Sequence, residues 1–308
     1  MVLRKDKESA GHSIFVNLHA NVMTKRSLFS ILTHLMVLSG FSQSRDPESP
    51  NITASHHVKE KRIYRYMIDA DGTIGRKYLY STTSYNVHGL PLIKKQFTND
   101  GSVSDKDIAE YAADSLEMKM TSYKGEDEVV KETTCSYDDR GNRVYQKQVI
   151  KSSGKVIEER RTYNSLNQNT GSYTSNTGKS DVTETNEYDP AGNCIRRIAS
   201  FGTGIKKDTS LTVFDARRNV LRQYVKVGDS VRLLYEIFYT RQHLLLERHI
   251  FVQAPLMPLN SAVKAEWLKK ADTRIDKYTY DRRGLQSEVT EIMNGRTTVK
   301  LKFEYDLR

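Results

Sequence analysis

Cysteine, tryptophan and proline are all scarce in this sequence, with 2 Cys, 1 Trp and 6 Pro among 308 residues. Two cysteines cannot build the disulfide framework of a small secreted scaffold or a four-thiolate zinc site. So few prolines exclude a proline-rich linker. Apolar residues are also thin, 37% with Tyr included against 28% charged, and the mean hydropathy is −0.63. A thick, dry core of the α/β-enzyme type is therefore not expected. Gly-rich phosphate loops, Gly-x-Ser-x-Gly elbows and Cys–His pairs are missing, which leaves nucleotide-dependent and nucleophilic catalysis without a motif. His243 and His249 have no Cys or further His beside them to complete a metal set. The sequence reads as a non-enzyme without metal or cofactor.

Tyrosine, by contrast, is plentiful: 18 residues. Its ring suits a pleated, half-buried surface with a wet face, which points to strands. The formal net charge is +10. The excess is spread along the chain rather than concentrated on one element, so a nucleic-acid partner is not expected. Weak attraction to anionic glycans or surfaces, or simply solvated strand faces, fits the distribution better.

Near the N-terminus, Lys25-Arg26 precedes an apolar run from Leu28 to Phe41, with small residues at Gly40 and Ser42. That is the pattern of a secretory signal peptide over 23–42, too short for a helical membrane span of about 20 residues; a buried N-terminal helix is the alternative. Residues 1–22 read as a disordered, mis-called leader upstream of a second start at Met23, and 43–59 as a flexible tail. Cleavage near Ser42 would leave a net charge of +7 (43 Lys/Arg against 36 Asp/Glu) and a chain that is periplasmic or secreted.

The strongest signal is periodic. An aromatic residue recurs at Tyr137, Tyr163, Tyr188, Phe214, Tyr239, Tyr280 and Tyr305, in steps of 25 or 26 apart from one step of 41. Extending the series backwards reaches Tyr111 and Tyr85. Around these anchors stand Tyr137-Asp138-Asp139-Arg140-Gly141-Asn142, Tyr188-Asp189-Pro190-Ala191-Gly192-Asn193, Phe214-Asp215-Ala216-Arg217-Arg218-Asn219 and Tyr280-Asp281-Arg282-Arg283-Gly284. Asp opens a tight turn by accepting backbone N–H bonds, and Gly four places after the aromatic supplies the φ > 0 residue of a bulged hairpin. A second turn follows half a period later, as at Asn99-Asp100-Gly101, Ser153-Gly154-Lys155, Thr177-Gly178-Lys179, Thr203-Gly204, Val227-Gly228-Asp229 and Asn294-Gly295. The runs between turns have strand length. Each unit is thus two antiparallel strands and two turns, and the recurring carboxylates are structural rather than an acid–base pair.

The units resemble the YD repeat of the Rhs family, Tyr-Asp-x-x-Gly followed by Asn or Arg, across roughly residues 60–308. The resemblance implies an all-β domain of tandem hairpins forming a long twisted antiparallel sheet, open or partly curled. Long members of that family wrap repeats into a hollow shell around a C-terminal toxin. Here the last unit ends at Tyr305-Asp306-Leu307-Arg308, so a short exported member lacking a toxin domain is expected. Several units depart from the pattern, among them Tyr163-Asn164-Ser165-Leu166-Asn167 and Tyr239-Thr240-Arg241-Gln242-His243. Around Tyr111 the apolar spacing fits either a helix or strands, with the alternation of Leu116, Met118 and Met120 favouring strands.

In Ser180–Tyr188 polar side chains occupy both faces. Such a strand cannot offer a uniformly apolar lipid face, and no membrane span is expected. Cys135 and Cys194 lie five strand spacings apart in a sequential meander, about 24 Å, so two free thiols are expected. The single long step places an insertion near 252–271, with a short helix over 261–271 that contains Trp267. Leu256, Met257, Trp267 and Leu268 are candidate binding residues there; covering an open part of the sheet is the other reading. The partner expected is a glycan or an envelope protein. The Rhs resemblance adds a second possibility, a remnant or accessory shell enclosing a separately encoded partner.

Overall fold

The computed structural model describes residues 50–69, 71–112, 116–176, 181–202, 206–251, 254, 256–258 and 273–307. All belong to one of two compact units, Pro47–Arg308. The segments read as leader and signal peptide, the turns at 177–179 and 203–204, and Trp267 and Leu268 lie outside the described residues.

The turn residues cut the chain into hairpins. A one-and-a-half-turn helix α1 (Pro50–Ser55) leads into β1 (Val58–Ile68), both within or overlapping the stretch read as a tail. Next come β2 (Ile74–Tyr85), β3 (Pro91–Phe97), β4 (Val103–Tyr111), β5 (Glu117–Lys124), β6 (Glu128–Tyr137) and β7 (Arg143–Ile150). The middle of the chain forms β8 (Lys155–Tyr163), β9 (Asn169–Asn176), β10 (Val182–Tyr188), β11 (Cys194–Phe201), β12 (Lys206–Phe214) and β13 (Val220–Val227). The last elements are β14 (Ser230–Tyr239), β15 (Leu245–Phe251), the short β16 (Leu256–Pro258), β17 (Thr273–Tyr280), β18 (Gln286–Met293) and β19 (Arg296–Leu307). The Tyr111 region is therefore a pair of strands.

Every neighbouring pair is antiparallel, and β1 pairs with both β2 and β19, through Arg62↔Thr82 and Arg62↔Glu304 among others. β16 lies on β14 at Ser230–Arg232, beyond the stretch of β14 that pairs with β15, so β15 and β16 share one place in the ring. The result is a closed barrel of 18 strands. This corrects the expectation of an open or partly curled sheet. Hairpin signals specify nearest neighbours only; the accumulated twist brings the first and last strands together, where each satisfies the other's free edge. The same closure overturns the YD-repeat and Rhs-like assignment, because all units are consumed in one complete ring.

Cross-strand partners project to the same side of a sheet. Following the registers places Ser81, Thr83, Ser122, Thr133, Cys135 and Ser172 on one common face, all nearly inaccessible to solvent. Most of the nearly inaccessible side chains of β2–β9 lie on it, as expected of the concave side of a curved wall, so this is the lumen face. The side chains wholly enclosed there are small because the inner circumference is crowded, while longer ones such as Lys131 and Gln148 share the face. The opposite face carries ion pairs such as Lys119 with Glu110 and Glu132, Arg222–Glu236 and Lys300–Glu288.

Two apolar clusters interrupt this polar wall. Val58, Leu285 and Tyr85 pack with Tyr305 where the chain ends meet. Val231, Leu233, Phe251 and Ala254 pack with Leu211 and Tyr224 on the outward face beside the long insertion. Val58, Leu233 and Leu285 are completely buried, each stabilising the fold by about 1.5–3 kcal/mol.

Candidate functional site

The recurring aromatic residues all lie at one rim, at or near the ends of β2, β4, β6, β8, β10, β12, β14, β17 and β19, and those ending β6, β10, β12 and β17 open an aromatic-plus-Asp turn. In the turn after β6, the Asp138 N–H donates to the Asn142 carbonyl and the Gly141 N–H to the Asp138 carbonyl, both at 2.9 Å. The Asp138 carboxylate accepts from the backbone N–H of Arg140 at 3.0 Å and of Asn142 at 2.8 Å, and from Asn142 Nδ2 at 2.9 Å. Asp189 with Asn193, and Asp215 with Asn219, repeat the arrangement. Asp281 accepts from Arg283 and from Leu285 N. The Asn142 side chain holds the Asp138 carboxyl below the usual carboxylate range, and Asn193 does the same for Asp189. At Asp215 burial acts upward, but the Asn219 bonds outweigh it and the net displacement is downward.

The fourth place of each turn needs φ > 0. Gly141, Gly192 and Gly284 supply it at 78°, 86° and 81°. In three units the same place is filled by Asn167, Arg218 and His243, at 59°, 68° and 64°, a conformation that disfavours any residue with a Cβ. Two of these side chains have a visible use. Asn142 Nδ2 reaches Asn167 Oδ1 at 3.2 Å, and Asn219 Nδ2 reaches His243 Nδ1 at 3.3 Å, so each exception stitches its turn to the preceding one.

The aromatic residues perform a second task that their sequence spacing does not reveal. Tyr111, Tyr137, Tyr163 and Tyr188 donate their hydroxyls to the carbonyls of Pro91, Glu117, Arg143 and Asn169, at 2.8, 2.8, 3.1 and 2.6 Å. Tyr239, Tyr280 and Tyr305 do so to Val220, Leu245 and Gln286, at 3.0, 2.9 and 2.9 Å. Each hydroxyl closes the open end of its own strand pair. Phe214 has no hydroxyl, and the β11–β12 pair lacks this staple.

Inside the barrel, several buried polar atoms have no hydrogen-bond partner. They include Ser122 Oγ, Thr133 Oγ1, Asn176 Oδ1, Gln223 Oε1, Arg143 Nε and Arg232 Nε. Ser122 stands opposite Lys131, and Thr133 opposite Gln148, which in turn faces Ile157 and through it Asn176. A polar stretch of wall thus runs across β5–β9. Elsewhere on this face Asp276 is clamped by Arg248 at 2.5 Å and Arg274 at 2.9 Å, with Glu291 3.1 Å from Arg274. No group of His, Cys, Asp and Glu able to hold a metal occurs among the described residues. Both cysteines are free.

Of the candidate binding insertion, Leu256 is exposed on β16 and Met257 is in register with Val231. β16 pairs with the Ser230–Arg232 end of β14, the end away from the aromatic turns.

No family model and no curated protein matches the chain. Among solved structures, a porin-like protein from Bacteroides uniformis is similar at 12% identity and a TM-score of 0.39, over 81% of this chain and 98% of that one. A porin-like protein from Bacteroides vulgatus covers the same shares at 9% identity and a TM-score of 0.24. The Photorhabdus luminescens Tc holotoxin pore is similar at 11% identity and a TM-score of 0.26, over 78% of this chain but only 18% of that one. At such scores these likenesses carry no argument by themselves; ring closure comes from the strand pairing alone.

That closure corrects two further expectations. No described helix is long and apolar enough to cross a membrane, but a closed ring of strands satisfies its own backbone and can cross one. The statement of no membrane span, and the placement of the chain as periplasmic or secreted, therefore lose their ground. A bilayer-facing rung tolerates Lys or Arg only near an interface, so the outer ion pairs limit where an apolar band can lie. What the strand pairing establishes is the closed β-barrel itself.

Proposed function

We propose that this barrel, exported by segment 23–42, binds carbohydrate at the cell envelope along its polar lumen wall. The observation that carries this reading is the set of buried, unpartnered polar groups at Ser122, Thr133, Asn176 and Gln223 on the lumen face. A buried donor or acceptor left unmade costs about 1–3 kcal/mol, and a hydroxyl-rich solute or water relieves that cost. Ser, Thr, Asn and Gln side chains offer both donors and acceptors without a fixed charge, which suits a neutral polyol. A glycan array followed by titration calorimetry tests the reading. Binding that weakens in Thr133→Val and Gln223→Leu supports it, whereas absence of any hit at micromolar concentration, or equal binding by the variants, refutes it.

A further inference from the structure

Of the three turns whose fourth, φ > 0 place carries a side chain, Asn167 and His243 receive the Asn of the preceding turn and Arg218 does not, and a cavity of about 590 Å³ lies there. It opens between the turn after β10 and the turn after β12, lined by Asn193, Ile195, Val213, Phe214, Asp215 and Arg218, with Asp189 alongside. Two chemical substitutions account for the gap. Phe214 lacks the hydroxyl that would close the β11–β12 end, and Arg218 stands where Asn167 and His243 provide an acceptor in other turns. A guanidinium only donates, so it cannot receive Asn193 Nδ2 as Asn167 Oδ1 receives Asn142 Nδ2. Asn193 is 4% exposed, yet its Oδ1 has no partner.

We infer that this gap is a binding site for a single sugar ring carrying an amino group. The volume is that of a small-molecule pocket. Ile195 and Val213 are among the exposed large apolar side chains, and with the Phe214 ring they offer a surface for the C–H face of a pyranose. The polar contribution is rich in acceptors: the orphan Asn193 Oδ1 and the carboxylates of Asp189 and Asp215 against one cation, Arg218. Such a balance favours hydroxyl and ammonium donors and disfavours a uronic acid. An ammonium beside an aromatic ring adds a cation–π contribution. The site is separate from the lumen wall and does not rest on the lumen reading.

The test uses the full chain, titrated with glucosamine, glucose and glucuronate. The expected order of affinity is glucosamine, then glucose, then glucuronate. Phe214→Tyr combined with Arg218→Asn restores both missing links, so this variant should fold at least as well. Glucosamine affinity should nevertheless fall by about tenfold or more, the equivalent of one good hydrogen bond. Failure to bind any of the three at millimolar concentration, preference for glucuronate, or unchanged affinity in the double variant overturns the assignment. Thr133→Val serves as the control for the lumen: loss of glucosamine binding in that variant instead would also overturn it.

Discussion

The turn after β17 and the turn after β6 share one backbone but differ at their fifth residue, and the difference decides what each holds together. After β6 that residue is Asn142, which bonds Asp138 and reaches sideways to Asn167. After β17 it is Leu285, wholly buried against Val58 and Tyr85 where the chain ends meet. Neighbouring hairpins are close in sequence, so hydrogen bonds and turn chemistry suffice to hold them. The closing contact joins residues more than two hundred positions apart, and its loop-closure entropy must be offset by burial. The wall is wet and local, while the seam is dry and non-local.

Leu285→Ala should break this contrast most severely. Truncating a fully buried Leu costs about 2–5 kcal/mol, and thermal melting should show that loss, with hydrogen exchange rising first along β1 and β19. Thr133→Ala on the wall, equally inaccessible but already without a hydroxyl partner, should change stability far less. Similar losses from the two variants would show that the seam is no more dependent on apolar packing than the wall.

Backbone strain comes next in size. Gly141→Ala places a Cβ at φ 78° with no atom within 4 Å, so the loss reflects conformation alone, about 1–2 kcal/mol. A comparable loss in urea midpoint at Gly192→Ala, where Gln168 Nε2 stands 3.2 Å from the added Cβ, would show that rim neighbours yield easily; a larger loss would show that they are packed. Tyr137→Phe, which removes one staple and mimics Phe214, should cost about 0.5–1.5 kcal/mol. An unchanged midpoint would mean that the hydroxyl staples are decorative and that position 214 is not special.

Strands, hairpins and both sets of turns were legible in the sequence because they are local: Asp138, Gly141 and Asn142 act within five residues. The tyrosines announced their period but not their hydroxyl partners, since Tyr137 reaches Glu117 through a register that spacing alone does not specify. Closure was illegible for a deeper reason. Charged residues on both faces suggested a ribbon wet on each side, whereas small residues such as Ser122, Thr133 and Ser172 are buried by curvature, not by hydrophobicity. Leu285 in the Asn position was the available signal, and it becomes meaningful only once Val58 is known to lie beside it. The Phe214 unit reads as a regular member of the series, and its cavity emerges only when Asn167 and His243 are seen to stitch other turns.

The smallest expected effect concerns acid. Asp138 and Asp189 have folded pKa values below their unfolded value, first because the Asn142 and Asn193 side chains bond the charged form, and further because turn N–H groups do. A lowered folded pKa contributes stability that is fully present above the unfolded pKa, about 3.9. That contribution is lost as pH falls through the folded pKa, because protonation removes the acceptor that holds the turn. The rim turns should therefore loosen below about pH 4, while the seam at Leu285, which has no carboxylate in its apolar contact, keeps its packing. Asp138→Asn retains an acceptor for the backbone N–H groups but no charge. Its melting temperature should accordingly fall less steeply than that of the unmodified chain between pH 5 and about pH 3. Parallel acid limbs for the two proteins would place the acid sensitivity elsewhere, with the Asp276 cluster of the lumen the next group to substitute.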